Sequence, residues 1–161
     1  MRRAIWNPLG MLLTGLLLGA VSRWLDGHTQ NLGNIFSQLA IWILLGVLIS
    51  IYSRTKKQAM GNILAFCAGM LLSYYLAAVL TKGFYGKAII LGWTGFACVS
   101  PVLAYFAWMT KERGIFPRVI SGGIVLVAFL SSVILFDGPR VYDLVIDGAL
   151  VYLLFCKRVE R

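Results

Sequence analysis

Long apolar runs separated by short polar breaks are the main pattern along this chain. The runs cover about 8–25, 33–53, 58–81, 86–110, 117–136 and 139–156. They do not show the alternation of apolar and polar faces that is typical of a water-facing helix. A membrane-spanning helix needs about 20 mostly apolar residues. The pattern therefore predicts an all-α integral membrane protein, a bundle of six transmembrane helices with short loops, forming one domain over 1–161.

Composition supports this prediction. The chain is 60% hydrophobic and 13% charged, which leaves too little polar surface for a soluble domain of this length. A net charge of +9 would suggest nucleic-acid binding in a soluble protein. Here the basic residues gather in the breaks between apolar runs, so we expect a lipid bilayer as the partner and no nucleic acid.

The basic residues also predict the orientation. Counting alternate breaks, one side holds eleven and the other holds four of the 15 Lys and Arg residues. The positive-inside rule places the richer side in the cytoplasm, and with it both termini. The richer side has Arg2, Arg3, Arg54, Lys56, Lys57, Lys111, Arg113, Arg118, Lys157, Arg158 and Arg161, and the other side has Arg23, Lys82, Lys87 and Arg140.

The first run has an alternative interpretation. Arg2 and Arg3 precede an apolar stretch that ends in Ala20-Val21-Ser22, which resembles a signal peptide with its small-residue cleavage site. The run is long enough to span a bilayer, and five further apolar runs with a matching charge bias follow it. We therefore interpret it as a retained first span.

Small residues four positions apart predict where helices pack closely, because close backbone approach is a main source of attraction between helices in lipid. The first span contains Gly15 and Gly19, which either pack inside the bundle or dock a partner. The third span carries a longer stripe that predicts a central packing seam: Gly61, Ala65, Gly69, Ser73 and Ala77.

Charged side chains inside the predicted spans are the best candidates for function, because they are costly in a membrane unless paired or solvated. Arg140, Asp143 and Asp147 are three and four residues apart and so share one helical face. Asp147 falls near the predicted bilayer centre. A solute-binding site and a structural network, with Arg140 paired to Asp143 and Arg23 paired to Asp26 or Asp147, both fit this pattern.

Other polar and aromatic side chains fall in the predicted outer halves of the spans. There they could form the walls of a solute pocket or belong to an interfacial aromatic belt. With the charged set above, the candidate solute-binding residues in these positions are Arg23, Asp26, Gln38, Tyr74, Tyr75 and Trp93.

Catalytic and metal-binding motifs are missing from the sequence. It contains no HExxH, GxSxG or P-loop motif and a single histidine, His28, in a predicted loop. The three cysteines, Cys67, Cys98 and Cys156, are far apart within apolar runs and form no metal-binding pattern. We therefore expect no enzyme, no cofactor and no metal site.

The overall plan of six spans with cytoplasmic ends, together with the Gly15/Gly19 pair, resembles the substrate-binding subunits of energy-coupling-factor transporters. The resemblance implies an outward-facing solute pocket and a membrane coupling subunit docked on the first span. The chain also resembles uncharacterised small six-span proteins of Gram-positive bacteria through the stretch 66–75, which implies a bacterial plasma membrane but no function.

A solute-binding or transport subunit is thus the favoured function, and without a nucleotide-binding motif it would need a partner for energy. The alternatives are a non-transporting assembly or immunity factor with structural salt bridges, and a homo-oligomeric ion channel built around Asp147.

Overall fold

The computed structural model describes residues 6–28, 36, 38–81, 87–135, 138–157 and 159. These residues form helices joined by short connections, and the described part of the chain contains no strand. The helices are α1 (Pro8–His28), α2 (Leu39–Tyr52), α3 (Lys56–Leu80), α4 (Lys87–Met109), α5 (Ile115–Leu135) and α6 (Val141–Val151), which continues into a π-helical turn (Tyr152–Cys156). The all-helical prediction is confirmed.

Four of these helices are long and apolar enough to cross a membrane. They give the chain the character of a multi-pass membrane protein, with spans at Pro8–Leu25, Lys56–Leu80, Ile90–Met109 and Ile115–Ile134. The other two are shorter than the predicted runs: α2 has 14 residues and α6 has 11. Six full crossings and cytoplasmic termini therefore remain predictions.

The short helix α2 lies at the centre of the bundle, in contact with α3, α4, α5 and α6. Its side chains Trp42 and Ile49 belong to an apolar core shared with α1, α3 and α4. Val47 and Ile51 belong to a second core with residues of α4, α5 and α6. Because α2 has apolar neighbours all round, almost every one of its positions is apolar, which is why no amphipathic stripe marks it in the sequence.

The most extensive helix contact joins α1 to α3, and the two helices run in the same direction. Gly61 lies near Pro8 at the start of α1, Gly69 lies against Leu12, and Ser73 lies against Gly19. The small residues thus form a seam between these two helices. The seam lies beside the central helix α2 and does not form the centre of the bundle.

One end of the bundle gathers the segments that the charge pattern places on one side. Gln58, at the start of α3, donates a hydrogen bond of 2.6 Å to the carbonyl oxygen of Trp6. Lys56 forms an ion pair of 3.1 Å with Glu112, in the loop after α4. Lys111 of that same loop donates to the carbonyl oxygens of Leu153, Leu154 and Lys157 at the end of the π-helical turn. The helices therefore alternate in direction, as a chain crossing a bilayer repeatedly requires.

Candidate functional site

The first turn of α6 carries a cluster of polar side chains. Arg140 precedes this helix in extended conformation, and its backbone N–H donates to Asp143 Oδ2 at 2.9 Å. Asp143 is the third residue of the helix, where a carboxylate can cap free backbone N–H groups and interact favourably with the helix dipole. Its side chain is fully buried at 0% exposure. Asp143 therefore has a structural role at the start of α6.

The Tyr142 hydroxyl connects α6 to the central helix. It accepts a hydrogen bond of 2.7 Å from the Arg140 guanidinium and one of 3.1 Å from Gln38 Nε2. Gln38 immediately precedes α2 and is 1% exposed. Since a phenol oxygen has two lone pairs, these two donors use its acceptor capacity and leave its own proton free to be donated.

Several buried acceptor oxygens at this end have no hydrogen-bond donor among the residues that the structure describes. They are Gln38 Oε1, Asp143 Oδ1 and both carboxylate oxygens of Asp147. Asp147 lies one helical turn from Asp143 on the same face of α6. Leaving a buried acceptor without a donor costs about 1–3 kcal/mol, and more for a charged group. All four of these atoms are acceptors, so among the described residues the cluster has unused capacity to accept a proton donor or a positive charge.

Of the salt bridges considered from the sequence, Arg140–Asp143 and Arg23–Asp147 are not formed between the described side chains. The Arg140 guanidinium is bonded to Tyr142, whereas Asp143 is held by the Arg140 backbone. Arg23 donates to Thr81 Oγ1 on α3 at 3.0 and 3.3 Å, so it does not neutralise Asp147. Among the described residues, the ion pair is Lys56–Glu112, with 3.1 Å between Nζ and Oε1. The Asp26 side chain lies outside the described part.

The predicted aromatic walls lie elsewhere. Trp93 packs edge-on against Trp42 in the apolar core that α1, α2, α3 and α4 share, with ring centroids 6.3 Å apart. Tyr75 donates from its hydroxyl to the Ile90 carbonyl oxygen on α4 at 3.3 Å. Tyr74 stands beside it, with ring centroids 6.1 Å apart. The structure brings together Gln38, Arg140, Asp143 and Asp147, while Arg23, Tyr74, Tyr75 and Trp93 lie on other helix pairs.

Tyr142 is the functional candidate that sequence reasoning missed. It precedes Asp143 by one position and therefore does not share the Arg140–Asp143–Asp147 face by helical spacing. A tyrosine near the end of a span also fits the interfacial belt. Its role depends on Gln38, which is 104 positions away in the sequence, and no local signal reports that contact.

Comparisons with known proteins gave no match to a family model, a curated protein or a solved structure. The resemblance to substrate-binding subunits of energy-coupling-factor transporters thus stays a prediction from architecture. The packing of α1 conflicts with one of its implications, the docking of a coupling subunit on the Gly15/Gly19 face. A Cβ atom at Gly15 would overlap the Phe66 carbonyl oxygen, and one at Gly19 would overlap the Met70 carbonyl oxygen. These two glycines face α3, so they form no free docking face for a coupling subunit.

A separate cavity of about 310 Å³ lies between α2, α3, α4 and α5. Its walls are apolar, and the two serines among them, Ser50 and Ser100, donate their hydroxyl protons to carbonyl oxygens of their own helices. Neither Asp143 nor Asp147 lines it. The enclosed outer pocket around Asp147 that the solute hypothesis anticipated therefore does not coincide with this cavity.

Proposed function

We propose that this protein is a membrane solute-binding or transport subunit whose polar site is formed by Gln38, Tyr142, Asp143 and Asp147. The observation that carries the proposal is the set of orphaned buried acceptor oxygens on Gln38, Asp143 and Asp147. Polar groups are retained in membrane helices at a cost, and such groups mark ion, proton or substrate sites.

The charge of the cluster favours a small cationic solute. Two carboxylates and one guanidinium have a formal charge of minus one, and the guanidinium is already engaged with Tyr142. A single positive charge would neutralise the cluster and supply donors or coordination to the orphaned oxygens. An alkali ion, a primary ammonium group or a proton meets this requirement, whereas an anionic solute does not.

Transport would depend on a partner, since the sequence contains no nucleotide-binding motif. Such a coupling subunit would have to use a surface other than the Gly15/Gly19 face, which α3 covers. We place the protein in a bacterial cell membrane on the strength of its resemblance to small bacterial six-span proteins, and we infer binding in preference to catalysis.

The proposal is tested by comparing the parent protein with Asp147→Asn. Thermal melts in detergent are recorded with sodium, potassium or methylammonium chloride at constant ionic strength, balanced with a bulky organic cation. We expect at least one cation to raise the melting temperature of the parent. Asp147→Asn should melt at or above the parent without added cation, because a charge that was costly to bury is gone, and should not respond to cations.

Glu112→Gln is the matched control, because it removes a carboxylate whose partner, Lys56, is already known. That pair is partly exposed and contributes about 0–1 kcal/mol, so this variant should keep the cation response of the parent. A large loss of stability in Asp147→Asn, with no cation shifting either melt, would make Asp147 a structural residue and overturn the proposal.

A further inference from the structure

The cavity between α2, α3, α4 and α5 opens between α4 and α5. These are consecutive helices, yet they contact each other much less than α3 contacts α4 or α2 contacts α4. Lining residues on both sides of the opening remain exposed: Leu103 at 47%, Phe106 at 38% and Val127 at 56%. Gly123 also lines the opening, and a Cβ atom there would meet no atom within 4 Å. The cavity is thus a cleft with an open side wall.

The position of this cleft determines what can reach it. Its lining residues on α4 and α5 fall within Phe96–Ala107 and Ile120–Val127, which lie inside the apolar spans Ile90–Met109 and Ile115–Ile134. The opening therefore faces the hydrocarbon of the bilayer, where acyl chains are the surrounding molecules. Its volume is at the lower end of the range for ligand pockets, about 300–1,000 Å³, and its apolar walls suit one hydrocarbon chain.

The end of the bundle below the cleft carries positive charge. The cleft reaches to Ala107 and Ile120, within about two helical turns of the loop between α4 and α5. That loop carries the exposed Arg113. The Lys56–Glu112 ion pair holds it beside Arg54, in the connection before α3, and beside Lys57, in the first turn of α3. Among the described residues here, Glu112 is the acidic one, and Lys56 already neutralises it. This surplus is complementary to an anionic headgroup, as in other basic sites between membrane helices.

We propose that this cleft binds an anionic phospholipid, with one acyl chain between α4 and α5 and the phosphate at Arg113 and its basic neighbours Arg54 and Lys57. The site is separate from the polar cluster on α6 and does not depend on the solute proposal. The bound chain would fill the space that the two loosely packed helices leave open, and the headgroup would hold the lipid against exchange with the bulk bilayer.

Native mass spectrometry of the full chain, loaded with phosphatidylglycerol or with phosphatidylcholine of identical chains, tests this inference. The parent should retain the anionic lipid about tenfold more tightly than the zwitterionic one. Gly123→Leu puts a side chain into the cleft and should reduce retention of both lipids. Gly122→Leu is the matched control: it is also helical and exposed, also has no atom within 4 Å of a Cβ, and does not line the cavity. It should retain lipid as the parent does.

The Arg113→Gln variant should still bind the acyl chain of the lipid. It should lose most of its preference for phosphatidylglycerol over phosphatidylcholine. Melting curves of all variants, recorded in detergent without lipid, check that each is folded; since both glycine positions are open, neither leucine should force the backbone to move. Equal lipid retention by Gly122→Leu and Gly123→Leu would overturn the proposal, as would equal retention of the two lipids by the parent. A dimer in place of lipid adducts would assign the cleft to a second copy of the chain instead.

Discussion

Gly69 on α3 lies so close to Leu12 on α1 that a Cβ atom at position 69 would overlap the Leu12 carbonyl oxygen and lie 3.0 Å from the Leu16 nitrogen. Backbone meets backbone at this point, which only glycine permits. Close approach of this kind maximises dispersion contacts between two membrane helices and brings Cα–H groups within reach of carbonyl oxygens.

Gly69→Ala should therefore lower the free energy of unfolding by about 1–3 kcal/mol, because the added methyl group forces α1 and α3 apart. Gly61→Ala is the control on the same stripe, where the nearest atom to the new Cβ is Pro8 Cγ at an ordinary 3.8 Å. That variant should be neutral or slightly more stable, since alanine is the better helix former. Thermal melts in detergent measure both. Equal melting temperatures for the two variants would show that the seam does not hold the helices together.

Tyr142→Phe removes the hydroxyl that accepts hydrogen bonds from Gln38 and Arg140. Gln38 is buried, so its side-chain N–H group would lose its partner, and we expect a loss of about 1–3 kcal/mol. Tyr152→Phe, at a ring that is 56% exposed, should melt like the parent. Denaturation in a graded detergent mixture compares the two, and a parent-like Tyr142→Phe would mean that the α2–α6 connection carries little stability.

Lys111→Met should loosen the end of the chain. The Lys111 ammonium group donates to three carbonyl oxygens around the π-helical turn, and carbonyl groups at a helix end need such partners. We expect faster proteolysis after Cys156 together with a lower melting temperature. Lys57→Met removes an exposed lysine from the same end of the bundle and should change neither. The role assigned to Lys111 fails if both variants are cleaved at the parent's rate.

Reporter fusions test the orientation. Fusions after Lys57, Arg113 and Arg161 should read as cytoplasmic, and fusions near His28, Gly83 and Gly138 as external, because the basic breaks stay on the cytoplasmic side. A reversal of all six readings would show that the charge bias does not orient this chain. External and cytoplasmic readings that fail to alternate around α2 or α6 would show that these short helices do not cross.

The positions of the helices could be predicted because hydrophobicity is a local property of the sequence. The predicted run 58–81 corresponds to the observed helix Lys56–Leu80, and the predicted run 86–110 corresponds to Lys87–Met109. The run 139–156 behaved differently, since it divides into an α-helix and a π-helical turn. That division places carbonyl oxygens where Lys111 binds them, 42 to 46 positions away in the sequence, and so it could not be deduced from local propensity.

The candidate site was predictable only in part, for a similar reason. Helical spacing puts Asp143 and Asp147 on one face of α6. Spacing does not say which partner meets them, and the expected arginine side chains bind Tyr142 and Thr81 instead. Trp93 and Tyr75 were predicted as walls of the same site because they share its depth. Trp93 instead packs against Trp42 of α2, and Tyr75 of α3 donates to the Ile90 carbonyl oxygen of α4. The depth of a residue in the membrane does not determine the direction in which its side chain points around the helix.

The sequence by itself determined that this chain is helical and has helices apolar enough to cross a membrane. The length of an apolar run and the bias of the charges around it act through the surrounding solvent, so they can be read without knowing which helices are neighbours. Tertiary structure decided which helices adjoin. It made α2 the central helix and paired the glycines of α1 with α3. It also left the Asp147 oxygens without a donor among the described residues and opened a cleft between α4 and α5. These features depend on how side chains from distant parts of the chain fit together, and that fit is a property of the packed bundle and not of any single span.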